Sequence, residues 1–186
     1  MSRSYTVLQT VTANDAQVTV VTPGLIVDTT GTGGNAITIT GAGKLGAKEP
    51  SADDHTDIEA GFRVVEALGR LDVGQAAVVV KGYVLAVEAA EGTDEMLARC
   101  AELRRAGQGR LERAGVLVKA PKPGQEERVD LPTIGPETIK GAAAAGLAGI
   151  AVTAKHVLIA DRAATIAAAD AHEIFIFGRR PSEPHG

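Results

Sequence analysis

The feature that most constrains the fold is a regular alternation of short apolar runs with amphipathic segments after residue 44. Apolar residues at helical spacing, bounded by capping residues, predict four helices: 54–70, 93–106, 136–147 and 161–172. Short apolar runs between them predict strands: 75–88 (a hairpin turning at Lys81-Gly82), 115–120, 149–154, 156–160 and 173–178. Strands separated by helices are typical of an α/β fold. We therefore expect a mixed or mostly parallel sheet with flanking helices.

Two of the predicted helices carry more detailed expectations. The first should begin at Thr56 or Asp57, either of which can act as an N-cap, and Gly69 suits its end. The second is amphipathic, and its predicted buried face consists of Met96, Leu97, Cys100 and Leu103.

Residues 1–43 have a different composition from the rest of the chain. They contain ten of the sixteen threonines and only three charged side chains. Apolar residues alternate there with Thr or Asn, which predicts a small all-β segment of four short strands. We therefore divide the chain into a Thr-rich β segment, 1–43, and an α/β domain, 44–186.

Four short strands bury too little surface to form a stable domain, so the β segment should pack on something else. Two alternatives stay open with about equal weight: a meander laid on the second part, or edge pairing with another copy of the chain. The sharp change in composition also raises the hypothesis of a chimera or designed fusion, in which the α/β part serves an assembly protein.

Bulk properties exclude several classes of protein. A net charge of -4 gives no electrostatic reason to expect nucleic-acid binding. The single cysteine excludes an internal disulfide framework and fits a reducing compartment. The sequence shows neither a run long enough to span a membrane nor a signal-peptide core. The expected location is the cytoplasm.

One candidate site lies where the second hairpin strand leads into the second helix, in the segment AVEAAEGTDEML. Glu88, Glu91 and Asp94 would stand at the carboxyl end of a strand beside a helix start, which is the usual mouth of an α/β site. The alternative is ordinary capping, with Thr93 as N-cap and Asp94 favoured by the helix dipole. Spacing alone favours capping by about two to one.

A second candidate site is the stretch KAPKPGQEERVDLPTIG, residues 119–135. Lys119 ends a predicted strand, so its amine should reach the same sheet edge as Glu88. Three prolines stiffen the path that follows and would hold Gln125, Arg128 and Asp130 on a fixed backbone. Such rigidity suits a catalytic or phosphate-binding loop. An ordinary charged connector is an equally good interpretation of the pattern alone.

These two stretches carry a family resemblance. EGTDEML followed by GVLVKAPKPGQEERVDLPTIGPETI resembles the C-terminal half of the UDP-2,3-diacylglucosamine pyrophosphatases of the LpxI type. The similarity extends over about residues 45–178. It implies hydrolysis of UDP-2,3-diacylglucosamine to lipid X and UMP, a step of lipid A biosynthesis. It also implies a divalent metal, usually Mg²⁺, and work at the cytoplasmic surface of the inner membrane.

The resemblance also implies roles for individual residues. Asp130 would be the essential acid, as metal ligand or as base for the attacking water. The other implied metal ligands are Glu88, Glu91 and Asp94. The residues implied to act on the pyrophosphate are Lys119 and Arg128 as catalytic cations and Lys122 as a substrate-binding one. The remaining residues implied to bind substrate are Gln125, Thr133 and Thr93.

Family members carry a further α/β domain before this one, and the Thr-rich segment stands in its place here. The resemblance therefore leaves open whether activity is retained, or whether the chain holds lipid X or UMP without cleaving the substrate. A homo-oligomer and peripheral contact with a membrane are the further expectations.

Overall fold

The computed structural model describes residues 7–13, 16–21, 25–27, 38–106, 113–122 and 131–181. The helices are α1 (Ala52–Arg70), α2 (Thr93–Ala106), α3 (Pro136–Ala144) and α4 (Arg162–Ala171). The strands of the first part are β1 (Val7–Ala13), β2 (Ala16–Val21), β3 (Leu25–Val27), β4 (Thr38–Ile39) and β5 (Gly43–Leu45). The later strands are β6 (Ala76–Val80), β7 (Tyr83–Val87), β8 (Val116–Lys119), β9 (Thr133–Ile134), β10 (Gly149–Thr153), β11 (Leu158–Ile159) and β12 (Phe175–Arg179).

The centre of the molecule is a six-stranded sheet in the order β5-β12-β10-β8-β6-β7. Strand β10 pairs in parallel with both β8 and β12, whereas β5, β6 and β7 join antiparallel. The prediction of an α/β fold with a mixed sheet is confirmed. The three central strands are parallel because helices connect them, and a helical crossover returns the chain to the same end of the sheet.

Helices cover both faces of this sheet. Helix α1 packs on one face through Ile58, Phe62 and Val65, which meet the β8 residues Val116 and Val118. Helices α2, α3 and α4 cover the other face, where the buried cluster includes Leu97, Ile139 and Ala169 together with Leu117 and Ile150 of the sheet. Both faces of the central strands are apolar because both are buried. A Cβ at Gly61 of α1 would collide with Val118, so only glycine permits this close approach of helix and strand.

The start of α1 corrects one prediction. The helix begins earlier than expected, with Ser51 as its N-cap in a capping box with Asp54. Asp57, predicted as a cap, is instead a buried residue of the first part of the helix and is only 4% exposed. Its carboxylate accepts from the backbone N–H groups of Lys81 (2.9 Å) and Gly82 (2.6 Å).

The predicted hairpin turn at Lys81-Gly82 is confirmed. Both residues have positive φ, 50° and 82°, as a two-residue turn of the type I′ class requires. Without Asp57, the backbone N–H groups of Lys81 and Gly82 would lack acceptors beside the helix. Asp57 satisfies both of them and ties the turn to α1.

The predicted buried face of α2 is correct in part. Met96, Leu97 and Cys100 are fully buried as expected, but Leu103 is 48% exposed. Arg104 is buried instead, and its guanidinium donates to the carbonyl oxygens of Ala114 (2.7 Å) and Gly146 (3.0 Å). Burial lowers the pKa of Arg104. Arg104 is buried because its long side chain donates to two carbonyl oxygens, one in the segment before β8 and one in the segment before β10.

The strands of the Thr-rich segment divide between two settings. Strands β1, β2 and β3 form a separate antiparallel sheet. In contrast, β4 pairs with β11, which also pairs with β9, and β5 pairs with β12 at the edge of the central sheet. Residues 38–45 are therefore integrated with the α/β part. The division of the chain near residue 44 stays a prediction.

The C-terminal strand β12 ends at Arg179, one residue beyond the predicted strand 173–178. Arg179 belongs to β12 and lies over the Phe62 ring, 4.4 Å from its centroid.

In the ranges that the structure describes, every helix is too short or too polar to cross a bilayer.

Candidate active site

The candidate site lies at the edge of the central sheet where the parallel strands β8, β10 and β12 end. Strand β6 runs antiparallel to β8 with Ala76 opposite Lys119, and β7 returns antiparallel with Val87 opposite Ala77. The start of β6, the end of β7 and the end of β8 therefore meet at one edge. The prediction that Glu88 and Lys119 share an edge is confirmed.

Three polar side chains with little exposure are connected at this edge. Glu88 is 5% exposed, Lys119 is 7% exposed and Thr93 is 9% exposed. The Thr93 hydroxyl donates to Glu88 Oε1 at 2.7 Å and accepts from Lys119 Nζ at 2.8 Å. The second carboxylate oxygen, Oε2, accepts from the backbone N–H of Gln75 at 3.1 Å. A carboxylate and an ammonium are thus joined through one hydroxyl.

This network contradicts one part of the capping interpretation, the role of Thr93 as N-cap. A capping Thr93 would direct its hydroxyl at the free N–H groups of the helix. The hydroxyl instead bridges Glu88 and Lys119, and the Met96 N–H bonds to the Gly92 carbonyl. Buried charged groups are retained only with partners of this kind. The arrangement positions the Lys119 ammonium with precision.

Lys119 also connects the site to β9 and α3. Its Nζ donates to the Thr133 carbonyl at 3.1 Å, while the exposed Thr133 hydroxyl donates to the Leu131 carbonyl at 3.3 Å. Gly135 follows immediately as the N-cap of α3. The predicted substrate-binding residue Thr133 therefore lies at the site, and the contact with Lys119 uses its main chain.

Lys122 lies farther along the same edge. Its Nζ contacts Asp72 Oδ1 at 2.7 Å, in the connection between α1 and β6. The hydrogen bond from Lys122, followed by its charge, lowers the pKa of Asp72. The predicted substrate-binding cation is thus held near the start of β6 by a surface carboxylate.

Two further predicted metal ligands, Glu91 and Asp94, are exposed. Glu91 Oε1 contacts the Arg99 guanidinium at 2.6 Å, and Oε2 accepts from the Ala89 N–H at 3.2 Å. Hydrogen bonds from its own backbone N–H and from Arg99 lower the pKa of Glu91. Asp94 is exposed on the first turn of α2.

The fit of these carboxylates to Mg²⁺ can be tested on the residues present. Within the described ranges, no three His, Cys, Asp or Glu side chains cluster as a cation site. Both oxygens of Glu88 already accept hydrogen bonds from the protein, and Mg²⁺ needs free oxygen ligands. The described residues therefore do not form a Mg²⁺ site by themselves, and the predicted ligand Asp130 lies outside them.

Comparison with known proteins identifies the family of the chain. The model of the LpxI C-terminal domain matches residues 41–177. A curated relative, the UDP-2,3-diacylglucosamine pyrophosphatase LpxI of Caulobacter vibrioides, is 56% identical over 142 residues. The chain belongs to the LpxI family. The resemblance expected from the sequence is confirmed.

The extent of the match limits what carries over from the relative. The aligned region covers 76% of this chain and 51% of the LpxI of Caulobacter vibrioides, so the chain spans about half the length of that relative. The LpxI domain match begins at residue 41, before the change in composition. Neither comparison supports the hypothesis of a chimera or fusion.

Three predicted site residues of the LpxI domain lie outside the described ranges: Gln125, Arg128 and Asp130. Their catalytic, substrate-binding and metal-binding roles stay predictions. The two described residues next to that segment are Lys122 before it and Leu131 after it. Both belong to the edge that carries Lys119.

Sequence reasoning did not single out Gln75, a neighbour of Glu88 at this edge. Its N–H donates to Glu88, and its carbonyl accepts from the Ala120 N–H at 3.0 Å. The residue precedes the apolar run of β6 and looks like an ordinary strand start. Its position at the start of β6 could have indicated it. A strand that runs antiparallel to β8 begins at the edge of the sheet where β8 ends.

Proposed function

We propose that this chain hydrolyses the pyrophosphate of UDP-2,3-diacylglucosamine and releases lipid X and UMP, a step of lipid A biosynthesis. The observation that carries the proposal is the buried Glu88–Thr93–Lys119 network at the carboxyl edge of the parallel strands, in a chain 56% identical to an LpxI over 142 residues. Open α/β sheets bind ligands at this edge.

The chemistry of the proposed reaction explains the buried ammonium. A water oxygen forms a bond to phosphorus and loses a proton to the base that Asp130 would provide. The bond from phosphorus to the bridging oxygen breaks, the leaving phosphate takes the bond's electrons, and the protons end on the two phosphate products or in solvent. In the transition state, negative charge is spread over the equatorial phosphoryl oxygens and develops on the departing bridging oxygen. A cation fixed in advance, away from bulk water, stabilises that charge more effectively than a mobile surface lysine. Lys119 meets this condition because Thr93 and the Thr133 carbonyl hold its Nζ.

The remaining parts of the proposal rest on the family resemblance. Asp130 would serve as the essential acid, Arg128 and Lys122 would bind phosphate oxygens, and Gln125 would donate a hydrogen bond to the substrate. Dependence on Mg²⁺ belongs to the same proposal. Chelation with EDTA followed by addition of Mg²⁺ tests it: an activity that persists in the chelator would exclude a metal requirement.

The central experiment measures UMP release from UDP-2,3-diacylglucosamine by the full chain with Mg²⁺. We expect release by the wild-type protein and none above background by Asp130→Ala. Lys140→Met is the matched control, because Lys140 is exposed and its ion-pair partner among the described residues is Glu137 of the same helix, at 2.6 Å. Equal rates for wild type and Asp130→Ala would reject the proposed activity. Binding of UMP without any release would favour a ligand-holding module.

The proposed membrane contact follows from the lipid substrate, and the proposed homo-oligomer follows from the predicted strand edges of the Thr-rich segment. We expect the protein to contact the inner membrane surface peripherally and to form a homo-oligomer. Light scattering of the full chain gives its mass in solution, and flotation with anionic vesicles tests membrane contact. A monomeric mass would reject the homo-oligomer, and absence from the vesicle fraction would reject the membrane contact.

A further inference from the structure

We infer that Gln75 is a further substrate-specificity residue of the site, whose side-chain oxygen Oε1 accepts a hydrogen bond from an N–H or O–H group of the uridine-sugar ligand. The inference rests on the proposed function and adds a residue that carries neither charge nor metal chemistry.

The position of Gln75 is fixed on both sides by the backbone. Its N–H donates to Glu88 Oε2 at 3.1 Å, and its carbonyl accepts from the Ala120 N–H at 3.0 Å. Ala120 directly follows Lys119. The residue therefore stands between the acid and the cation of the buried network, at the edge where the proposed ligand binds.

The side chain of Gln75 lacks the partner that its burial demands. Oε1 is inaccessible to solvent and is the one such side-chain atom, among the described residues, that makes no hydrogen bond. A buried carbonyl oxygen without a donor is costly, and native proteins seldom keep one without a reason. The neighbouring polar groups Glu88, Thr93 and Lys119 all have partners.

A ligand supplies the missing donor most simply. An amide oxygen only accepts, so the ligand must offer an N–H or O–H. The phosphates of a UDP-sugar offer neither, whereas the uracil ring, the ribose and the glucosamine all do. Gln75 is only half-buried as a residue, and the terminal torsion of glutamine is soft. Because this torsion is soft, the amide can adjust to a bound donor without movement of the backbone.

The test replaces the amide by an apolar side chain of similar length in the full protein, Gln75→Met. Binding of two probes is measured by calorimetry: UMP, which carries the uracil and ribose donors, and glucosamine 1-phosphate, which carries the sugar donors. We expect affinity for one probe to fall about tenfold, because one buried hydrogen bond is lost. The affected probe identifies the donor.

Thermal unfolding without ligand provides the second readout. Removing an unsatisfied buried oxygen should leave the melting temperature equal or raise it. Weaker binding together with a lower melting temperature would assign Gln75 a structural role and overturn the inference. Unchanged affinity for both probes would also overturn it, while UMP release by the wild type would still support the proposed function. Failure of the wild type to bind either probe would also overturn the inference, whereas the proposed function is decided separately by UMP release.

A spectroscopic measurement on the wild-type protein avoids dependence on the variant. The side-chain amide ¹⁵N resonance of Gln75 should shift on saturation with the probe that Gln75→Met binds weakly. A resonance unmoved by saturating UMP and by saturating glucosamine 1-phosphate would contradict the inference.

Discussion

The two ends of the β6–β7 hairpin present a direct comparison, because each end carries a buried acid. At the turn, Asp57 is 4% exposed and accepts from two backbone N–H groups. At the open end, Glu88 is 5% exposed and accepts from one backbone N–H and from the Thr93 hydroxyl, which also bonds Lys119. Similar burial therefore accompanies two different environments.

The difference lies in what each acid holds. Asp57 accepts hydrogen bonds from main-chain N–H groups of the turn, so its role is structural. Glu88 orients a side chain that in turn orients a charged group at a sheet edge where ligands bind. Burial of an acid alone does not indicate function; the chemistry of its partners does. The following variants test this distinction, from the largest expected effect to the smallest.

The largest effect is expected from Lys119→Met. If the ammonium stabilises phosphoryl charge, the variant should lower kcat/KM by roughly 100- to 1000-fold, as for loss of a preorganised donor. Steady-state UMP release measures the effect, and circular dichroism checks that the fold is retained. A kcat/KM equal to that of Lys140→Met would contradict a catalytic role for the buried lysine.

Asp57→Ala should produce the opposite pattern. Two N–H groups of the hairpin turn lose their acceptor, which should reduce the free energy of unfolding by about 2–4 kcal/mol. Activity measured well below the melting temperature should be unchanged, because the turn lies at the far end of the sheet. Denaturant unfolding gives the stability, with the exposed Asp53→Ala on the same helix as control. A large loss of kcat in the folded variant would remove the distinction between the two ends.

Glu88→Gln should give an intermediate effect on both measurements. The amide keeps one acceptor oxygen, but its NH₂ group faces either the Gln75 N–H or the Thr93 hydroxyl. We expect a loss of about 1–3 kcal/mol in stability from the mismatched pair, and a lower kcat because Lys119 is held less firmly. A variant that loses stability but retains the wild-type kcat would make Glu88 structural, like Asp57.

The smallest effect on stability is expected from Lys122→Met, because the ion pair of Lys122 with Asp72 lies at the surface. The pKa of Asp72 is lowered by Lys122, so the pair adds stability above the unfolded aspartate pKa, about 3.9, and loses it as pH falls through the lowered value. An NMR titration should show the Asp72 midpoint rising toward its ordinary value in the variant. The stability difference from wild type should disappear in acid. A midpoint that does not move would exclude this ion pair in solution.

The sequence predicted the helices and strands of the α/β part well because both faces of the sheet are covered. Continuous apolar runs such as VLV before Lys119, and helical spacing in α1, follow directly from this burial. It also predicted that Lys119 and Glu88 share an edge, since strand direction alone determines that.

Long-range contacts were not predictable in the same way. Asp57 looked like a helix cap because its true partners, Lys81 and Gly82, lie more than twenty residues away. Arg104 is buried in place of Leu103 because its guanidinium donates to the carbonyl oxygens of Ala114 and Gly146, which are distant in sequence. Gln75 showed no signal because its significance depends on Glu88 and Ala120, which only the folded sheet brings beside it.

The placement of Lys119 on β8 has a consequence for tolerance to insertion. Successive residues of a strand face opposite sides, so Val118 meets α1 whereas Leu117 and Lys119 face α2. A shift of β8 by a single position would turn the ammonium toward the Ile58 and Phe62 side chains of the other layer. Evolution can therefore lengthen this chain at its loops, but a one-residue insertion between Gly115 and Lys119 would destroy the packing and the chemistry together.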